Sequence, residues 1–172
     1  LIDGCAEPDF PAEIVLVISN VPDVYGLARA AAAGIEACVV DHRDYDDRPA
    51  FERALQAKLQ ASGVEFVCLA GFMRILTGGF VALWQERLIN IHPSLLPAFK
   101  GLRVHEKALA AGVRFSGCTV HFVIPDMDAG PIIAQAVVPV QGDAAPAPLG
   151  ARVPEADHPR YPAALHQIPH AR

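Results

Sequence analysis

Two polar side chains suited to carbonyl chemistry stand at the end of an apolar segment. The segment runs from Leu88 to His92 and is stopped by Pro93. An imidazole exchanges protons near neutral pH, and an amide N–H can stabilise the oxyanion that forms when a nucleophile attacks a carbonyl. Asn90 and His92 are two residues apart, so their side chains project from the same face of an extended strand. This spacing predicts acid–base chemistry beside an amide donor.

An acidic loop downstream is a candidate partner for the imidazole. Asp126 and Asp128 precede Gly130 and Pro131, a composition typical of a tight turn. If the loop folds back over the strand end, one carboxylate would orient His92 and favour its protonated form. The residues alone do not choose between the two aspartates, and either could instead be a solvated or backbone-capping side chain.

Other polar residues have weaker cases. Arg74 follows the flexible Gly71 after an apolar run and is a candidate contact for a ligand carboxylate or phosphate. An isolated arginine is, however, often an ordinary surface residue. His121 is expected to be structural rather than catalytic, and His105 has little support.

A metal site is the competing interpretation of the same residues. His92, His121, Asp126 and Asp128 are side-chain types that bind zinc or iron. They show neither HxH nor HExxH spacing, and an asparagine at the strand end favours carbonyl polarisation. We therefore expect no metal.

The elements that would position these residues alternate between strand and helix. β-branched runs predict strands, and runs of helix formers ending at glycine predict helices. The predicted strands are residues 13–19, 35–40, 64–69 and 88–92, and the predicted helices are residues 25–33, 49–62, 79–84 and 104–111. Residues 118–124 and 131–140 follow as an antiparallel hairpin. The order predicts an α/β fold with an open, mainly parallel, doubly wound sheet and a C-terminal hairpin. Ligands of such sheets bind beyond the carboxyl ends of the strands.

Composition narrows the class of protein. The 172 residues are 52% hydrophobic and 19% charged, which is typical of one soluble globular domain. The formal net charge is −5 and the basic residues are scattered, which argues against a nucleic-acid partner. No apolar run approaches the roughly 20 residues that span a bilayer. We expect a cytoplasmic protein, a monomer or homodimer, with small-molecule substrates. The four cysteines lack CxxC spacing and are expected to be reduced thiols.

Three separated motifs resemble the folate-dependent formyltransferase superfamily. They are NIHPSLLP at residues 90–97, GL at residues 101–102 and DMDAGP at residues 126–131. The resemblance covers about residues 1–140. It implies a formyltransferase fold and the transfer of a formyl group from 10-formyltetrahydrofolate. Within the superfamily the match is nearest to members that formylate glycinamide ribonucleotide in purine biosynthesis. No metal is implied.

The resemblance also implies roles for individual residues. Asn90 and protonated His92 would stabilise the tetrahedral oxyanion, while Asp128 would hold His92 and assist proton transfer through water. The implied folate-binding residues are Arg48, Met73, Arg74, Ile75, Leu76, Asn90, Ile124, Pro125, Asp126, Met127 and Asp128. The implied contacts to the nucleotide substrate are Pro154, Glu155, Ala156 and Asp157.

Both ends depart from the family pattern. Family members begin with a strand and a Gly-rich phosphate-binding loop, which would precede Leu1, so we expect the first strand to be missing. We expect a catalytic domain at residues 1–141, incomplete at its N-terminus, and an altered segment at residues 142–172, where six prolines disfavour a long helix.

Other functions stay open. A formyltetrahydrofolate hydrolase would use the same Asn, His and Asp, with water in place of the amine. A methionyl-tRNA formyltransferase is disfavoured because the chain has no basic patch or C-terminal RNA-binding domain. The remaining alternative is that the chain is not an enzyme but a truncated, non-catalytic remnant.

Overall fold

Strands and helices alternate through most of the chain, as the residue pattern predicts. The computed structural model describes residues 1–140, Leu149, Val153 and residues 161–168. The strands are β1 Val17–Ser19, β2 Ala37–Val39, β3 Val67–Leu69, β4 Leu88–His92, β5 Phe115–Phe122 and β6 Ile132–Pro139. The helices are α1 Ile2–Cys5, α2 Tyr25–Ala32, α3 Arg48–Ala61, α4 Gly78–Leu83 and α5 Val104–Ala110, with a 3₁₀ turn at His42–Asp44. Residues 161–165 are also helical.

The sheet topology confirms the predicted fold class. β1 pairs with β2 and β3 pairs with β4, both in parallel, while β4, β5 and β6 are antiparallel neighbours. β5 and β6 form the hairpin at one edge, as expected. The parallel strands of the structure are shorter than most of the apolar runs that predicted them. Only residues 17–19 of the run 13–19 pair with a neighbour, because a ladder extends only as far as its partner strand.

Within the described residues the sheet is divided into two parts. One part is β1–β2 and the other is β3–β4–β5–β6. A cavity of ≈ 990 Å³ lies between them, lined by β1 and β3 and by apolar side chains of α3. Backbone polar groups of a parallel strand point alternately to its two sides. Because Val17 N–H donates to Glu36 and the Ser19 carbonyl accepts from Val40, the backbone of Ile18 faces the cavity.

Capping and apolar spacing explain the helices that support β4. Asp47 caps α3 by accepting a 2.7 Å hydrogen bond from the Ala50 N–H, and Pro49 suits the first turn. The i, i+4 stripe of Phe51, Leu55 and Leu59 is buried, as its spacing predicts. These side chains join a core cluster with Phe80, Trp84 and Leu88. The start of β4 is thereby packed against α3 and α4.

Two further observations concern the described helices and the cysteines. None of the described helices is long and apolar enough to cross a membrane. The four cysteines form no disulfide bond, as their spacing predicts. Burial raises the pKa of the Cys68 thiol to about 12, which keeps it protonated at neutral pH.

Candidate active site

The centre of the site is the carboxyl end of β4. Asn90 and His92 lie on one face of this strand, and Pro93 ends the ladder directly after them. Across the antiparallel pair, Asn90 is opposite His121 and His92 is opposite Thr119. Side chains that are opposite in such a pair share a face of the sheet. β5 therefore places a polar residue beside each of the two predicted catalytic side chains.

Asp128 reaches this face from the hairpin loop. Its backbone has the left-handed φ of 50°, and a Cβ at Gly130 would lie 1.8 Å from the Phe122 carbonyl oxygen. The turn is therefore so tight that only glycine fits at that position. Asp128 Oδ2 lies 3.5 Å from His92 Nδ1 and accepts a 2.8 Å hydrogen bond from the Gly101 N–H. The loop thus folds back over the strand end, as the sequence suggested.

The structure distinguishes between the two aspartates. Asp126 is exposed, whereas only 12% of the Asp128 side chain is accessible beside His92. His92 is itself only 6% exposed, and its Nε2–H donates a 3.0 Å hydrogen bond to the Phe99 carbonyl. Both ring nitrogens therefore face acceptors. A protonated ring can donate to Phe99 and Asp128 at once, whereas a neutral ring can donate to only one of them.

His121, which the sequence predicts to be structural, lies directly behind the predicted catalytic residues. It is 2% exposed, and its Nδ1–H donates a 2.9 Å hydrogen bond to the Phe122 carbonyl. That bond leaves Nε2 as an acceptor, 3.4 Å from Asn90 Nδ2 and 3.8 Å from Asp128 Oδ1. Burial lowers the pKa of His121, so the ring stays neutral near pH 7. The alternation of the polar Thr119 and His121 with the apolar Cys118, Val120 and Phe122 was the available signal.

A third histidine near the site, His105, has a ring nitrogen without a hydrogen-bond partner in the described structure. This nitrogen is Nδ1, which is buried, and the residue lies in α5. Burial lowers the pKa of His105, and the neighbouring charge of His92 lowers it further. Both effects favour a neutral ring.

The segment expected to cradle folate lies beyond the end of β3. Met73 and Ile75 expose 75% and 59% of their surface, whereas Leu76 is buried in the core. The segment is anchored at Thr77, whose N–H donates a 2.6 Å hydrogen bond to Glu52 and whose hydroxyl donates to the same carboxylate. Thr77 also caps α4. An exposed apolar loop is thus held by a buried polar contact.

The other expected folate residues are more dispersed. A Cβ added at Gly78, the first residue of α4, would lie 3.9 Å from Pro125, and one added at Gly101 would lie 3.4 Å from Met127 Cε. The hairpin loop therefore runs close to the start of α4 and to the loop after β4. Ile124 is half-buried, and Pro125, Asp126 and Met127 are exposed. Arg48 and Arg74 are exposed, with Arg48 at the first residue of α3. Pro154, Glu155, Ala156 and Asp157 lie outside the described residues.

The cavity between the two parts of the sheet does not include the catalytic side chains of β4. Among the described side chains no group of three or more His, Cys, Asp or Glu is arranged to hold a metal ion. The ≈ 990 Å³ cavity is lined by β1 and β3, and Asn90, His92 and Asp128 are not part of its wall.

Comparison with known proteins assigns the family. The formyl transferase family model matches residues 1–165. The chain is 41% identical over 162 residues to the phosphoribosylglycinamide formyltransferase of Escherichia coli (strain K12), covering 94% of this chain and 76% of that protein. It is 50% identical over 168 residues to the trifunctional purine biosynthetic protein adenosine-3 of Gallus gallus, covering 98% of this chain but only 17% of that longer protein.

Solved structures agree with the sequence comparisons. Glycinamide ribonucleotide transformylase 1 from Symbiobacterium toebii matches with a TM-score of 0.92 and 47% identity, covering 95% of this chain and 77% of that one. Phosphoribosylglycinamide formyltransferase from Brucella melitensis matches with a TM-score of 0.90 and 48% identity, covering 96% and 85%. The chain belongs to the formyl transferase family.

Proposed function

We propose that this protein transfers a formyl group from 10-formyltetrahydrofolate to the amino group of glycinamide ribonucleotide, a step of purine biosynthesis. The observation that carries the proposal is the convergence of Asn90, His92 and Asp128 at the end of β4, with Asp128 Oδ2 3.5 Å from His92 Nδ1. The similar proteins from Escherichia coli and Brucella melitensis bear the name of this activity.

The proposed reaction is an acyl transfer through a tetrahedral intermediate. The substrate amine forms a bond to the formyl carbon, and the carbonyl electron pair moves to oxygen. The Asn90 amide and the protonated His92 ring donate to that oxyanion. When the intermediate collapses, the bond from the formyl carbon to folate N10 breaks. N10 gains a proton and the new amide nitrogen loses one.

Asp128 serves this reaction through His92. A carboxylate beside the imidazole stabilises the cationic ring as negative charge develops on the substrate oxygen. For the ring to donate to substrate, its Nε2–H must exchange the Phe99 carbonyl, 3.0 Å away, for the oxyanion. The oxyanion carries more negative charge than the Phe99 carbonyl, so the new hydrogen bond stabilises the intermediate more than the ground state.

The formyl donor is proposed to bind between the Met73–Leu76 segment and the hairpin loop. Backbone groups of Met73 to Leu76 and of Ile124 to Asp128 would hold the pteridine, and the exposed Met73 and Ile75 would cover it. Exposed Arg48 and Arg74 carry charges suited to the donor's carboxylates. Both substrates bind without a metal ion.

The remaining assignments complete the proposal. We assign catalysis to residues 1–141 and contacts with the nucleotide to residues 142–172, through Pro154, Glu155, Ala156 and Asp157. We further propose that the protein acts in the cytoplasm as a monomer or homodimer.

The decisive experiment measures the fate of the formyl group. Purified protein is incubated with 10-formyltetrahydrofolate, with and without glycinamide ribonucleotide, and tetrahydrofolate release is followed. Release that requires the amine supports the proposal. Equal release without the amine would instead identify a formyltetrahydrofolate hydrolase.

A matched pair of variants tests whether the site is the one described. His92→Ala should remove most turnover while leaving folate affinity within about twofold. His166→Ala, at an exposed histidine, should leave both unchanged. If the wild-type chain neither releases tetrahydrofolate nor unfolds at a higher temperature with a folate analogue, the protein is a non-catalytic remnant.

A further inference from the structure

Three polar side chains form a row across the last three strands of the sheet. His92 of β4 is opposite Thr119 of β5, and Thr119 is opposite Gln135 of β6. Because opposite residues of antiparallel strands share a face, all three lie on the face that carries the catalytic residues. Gln135 is the outermost of the three and has no role in the proposed reaction.

Thr119, in the middle of the row, has a hydroxyl group that donates one hydrogen bond and accepts two. Thr119 is 0% exposed, and its Oγ1 donates a 2.7 Å hydrogen bond to the Ser94 carbonyl. The same oxygen accepts from the Leu96 N–H at 3.0 Å and from Gln135 Nε2 at 2.9 Å. Gln135 Nε2 also donates to the Leu96 carbonyl at 3.0 Å. Both backbone polar groups of Leu96 are thus held by side chains of neighbouring strands.

Leu96, which Thr119 and Gln135 hold, lies only three residues before Phe99, the residue that contacts His92. From Leu96 the chain runs to Phe99, whose carbonyl accepts the His92 Nε2–H bond of 3.0 Å. Phe99 has a φ of 55°, a left-handed conformation that is unfavourable for a bulky side chain. The surroundings must therefore impose it. Ser94 contributes a second tie within the loop, from its hydroxyl to the Ala98 carbonyl at 2.6 Å.

We propose that Gln135 is a positioning residue for His92. By holding Leu96 together with Thr119, it aims the Phe99 carbonyl at His92 Nε2, which keeps the proton on Nε2 and turns Nδ1 toward Asp128. The catalytic part of this inference rests on the proposed formyl transfer, whereas the effect on the imidazole does not. A purely structural role would stabilise the β5–β6 pair without changing the His92 tautomer.

The test uses one variant that removes the donor and one that restores a donor. Gln135→Met keeps a similar length without an N–H group, and Gln135→Lys again places an N–H donor near the Leu96 carbonyl. Gln60→Met is the matched control, because Gln60 is exposed on α3. The readouts are the ¹⁵N resonances of the His92 ring in the absence of substrate, and kcat and KM for formyl transfer.

In Gln135→Met the His92 ring, observed at a pH at which it is neutral, should shift from the Nε2–H tautomer toward a tautomer mixture. We also expect kcat to fall roughly 3- to 10-fold, with KM for the donor nearly unchanged. Gln135→Lys should recover most of both effects, and Gln60→Met should show neither. His92 resonances that stay unchanged in Gln135→Met would overturn the inference, even if stability or kcat falls. The resonances are measured without substrate, so they test the positioning role even if the protein has no transferase activity. A wild-type protein without that activity would contradict the proposed function, and the resonances alone would then decide the positioning role.

Discussion

Asp128 lies beside His92 although 35 residues separate them, because the hairpin carries its loop back over the end of β4. Asp128 Oδ2 is 3.5 Å from His92 Nδ1 and is also bonded to the Gly101 N–H at 2.8 Å. One carboxylate oxygen therefore links the imidazole, the hairpin loop and the loop after β4. This arrangement allows charge and shape to be tested separately.

Asp128→Asn should lower kcat about 100-fold, because the amide keeps the shape of the side chain but cannot stabilise a cationic His92 ring. The Gly101 N–H can still donate to the asparagine Oδ1, so we expect little change in thermal stability. Steady-state kinetics and the unfolding temperature provide the two measurements. Asp9→Asn is the control, since Asp9 is exposed in the N-terminal segment and has no role in the proposed reaction. Equal loss in both variants would contradict the assigned role.

The histidine behind Asn90 should make stability depend on pH. Burial lowers the pKa of His121 below its ordinary value of 6.5, so between these two values the unfolded chain binds a proton that the folded chain does not. The free energy of unfolding therefore falls as the pH drops below about 6.5. His105, whose pKa is also lowered, contributes in the same direction.

His121→Gln should make this pH dependence shallower, because the contribution of His121 is lost while that of His105 remains. Urea unfolding between about pH 5 and pH 8 measures the slope. Gln60→Met, at an exposed and non-titrating position of α3, is the control and should leave the wild-type slope intact. A slope that survives unchanged in His121→Gln would show that this ring does not titrate differently in the folded and unfolded states.

Local patterns were enough to predict the strand end that carries the chemistry. Leu88 to His92 is a strand in both the prediction and the structure, because an apolar run stopped by Pro93 needs no knowledge of distant residues. The same holds for the Gly- and Pro-containing hairpin loop. The residues alone did not choose between Asp126 and Asp128. The family resemblance and the geometry of the loop both favour Asp128.

The neighbours of the catalytic residues could not be predicted in this way. His121, Thr119 and Gln135 reach the site through the register of β4, β5 and β6, which depends on contacts between distant parts of the chain. The extent of β1 was mispredicted for a related reason. Its apolar run is seven residues long, but its pairing with β2 covers three.

Gly130 should be intolerant of substitution. A Cβ at this position would lie 1.8 Å from the Phe122 carbonyl oxygen, so Gly130→Ala must displace the loop that carries Asp128. We expect a loss of about 1–3 kcal/mol in the free energy of unfolding and a lower kcat. Gly26→Ala, in α2 with open space around the added methyl, should instead stabilise the protein by about 0.5–1 kcal/mol. Denaturant unfolding of both variants gives the comparison, and equal effects would contradict the steric argument.

The buried Glu52 should connect folding to folate binding. It is 5% exposed and accepts two hydrogen bonds from Thr77, the residue that ends the Met73–Leu76 segment and caps α4. In Glu52→Gln the Thr77 N–H and hydroxyl lose a charged acceptor, and the two hydrogen bonds become neutral ones. Because charge-assisted hydrogen bonds are the stronger kind, the change should cost about 1–3 kcal/mol of stability.

The same change should weaken folate binding more than it slows the chemical step, because Glu52 supports the proposed donor-binding segment and not the end of β4. We expect KM for 10-formyltetrahydrofolate to rise several-fold, with kcat changed less than twofold. Glu106→Gln, at an exposed position of α5, is the matched control. Calorimetric titration with a folate analogue separates the two effects. An unchanged affinity in a clearly destabilised Glu52→Gln protein would mean that the segment does not bind the donor, whereas a parallel fall in kcat would mean that the displacement reaches His92.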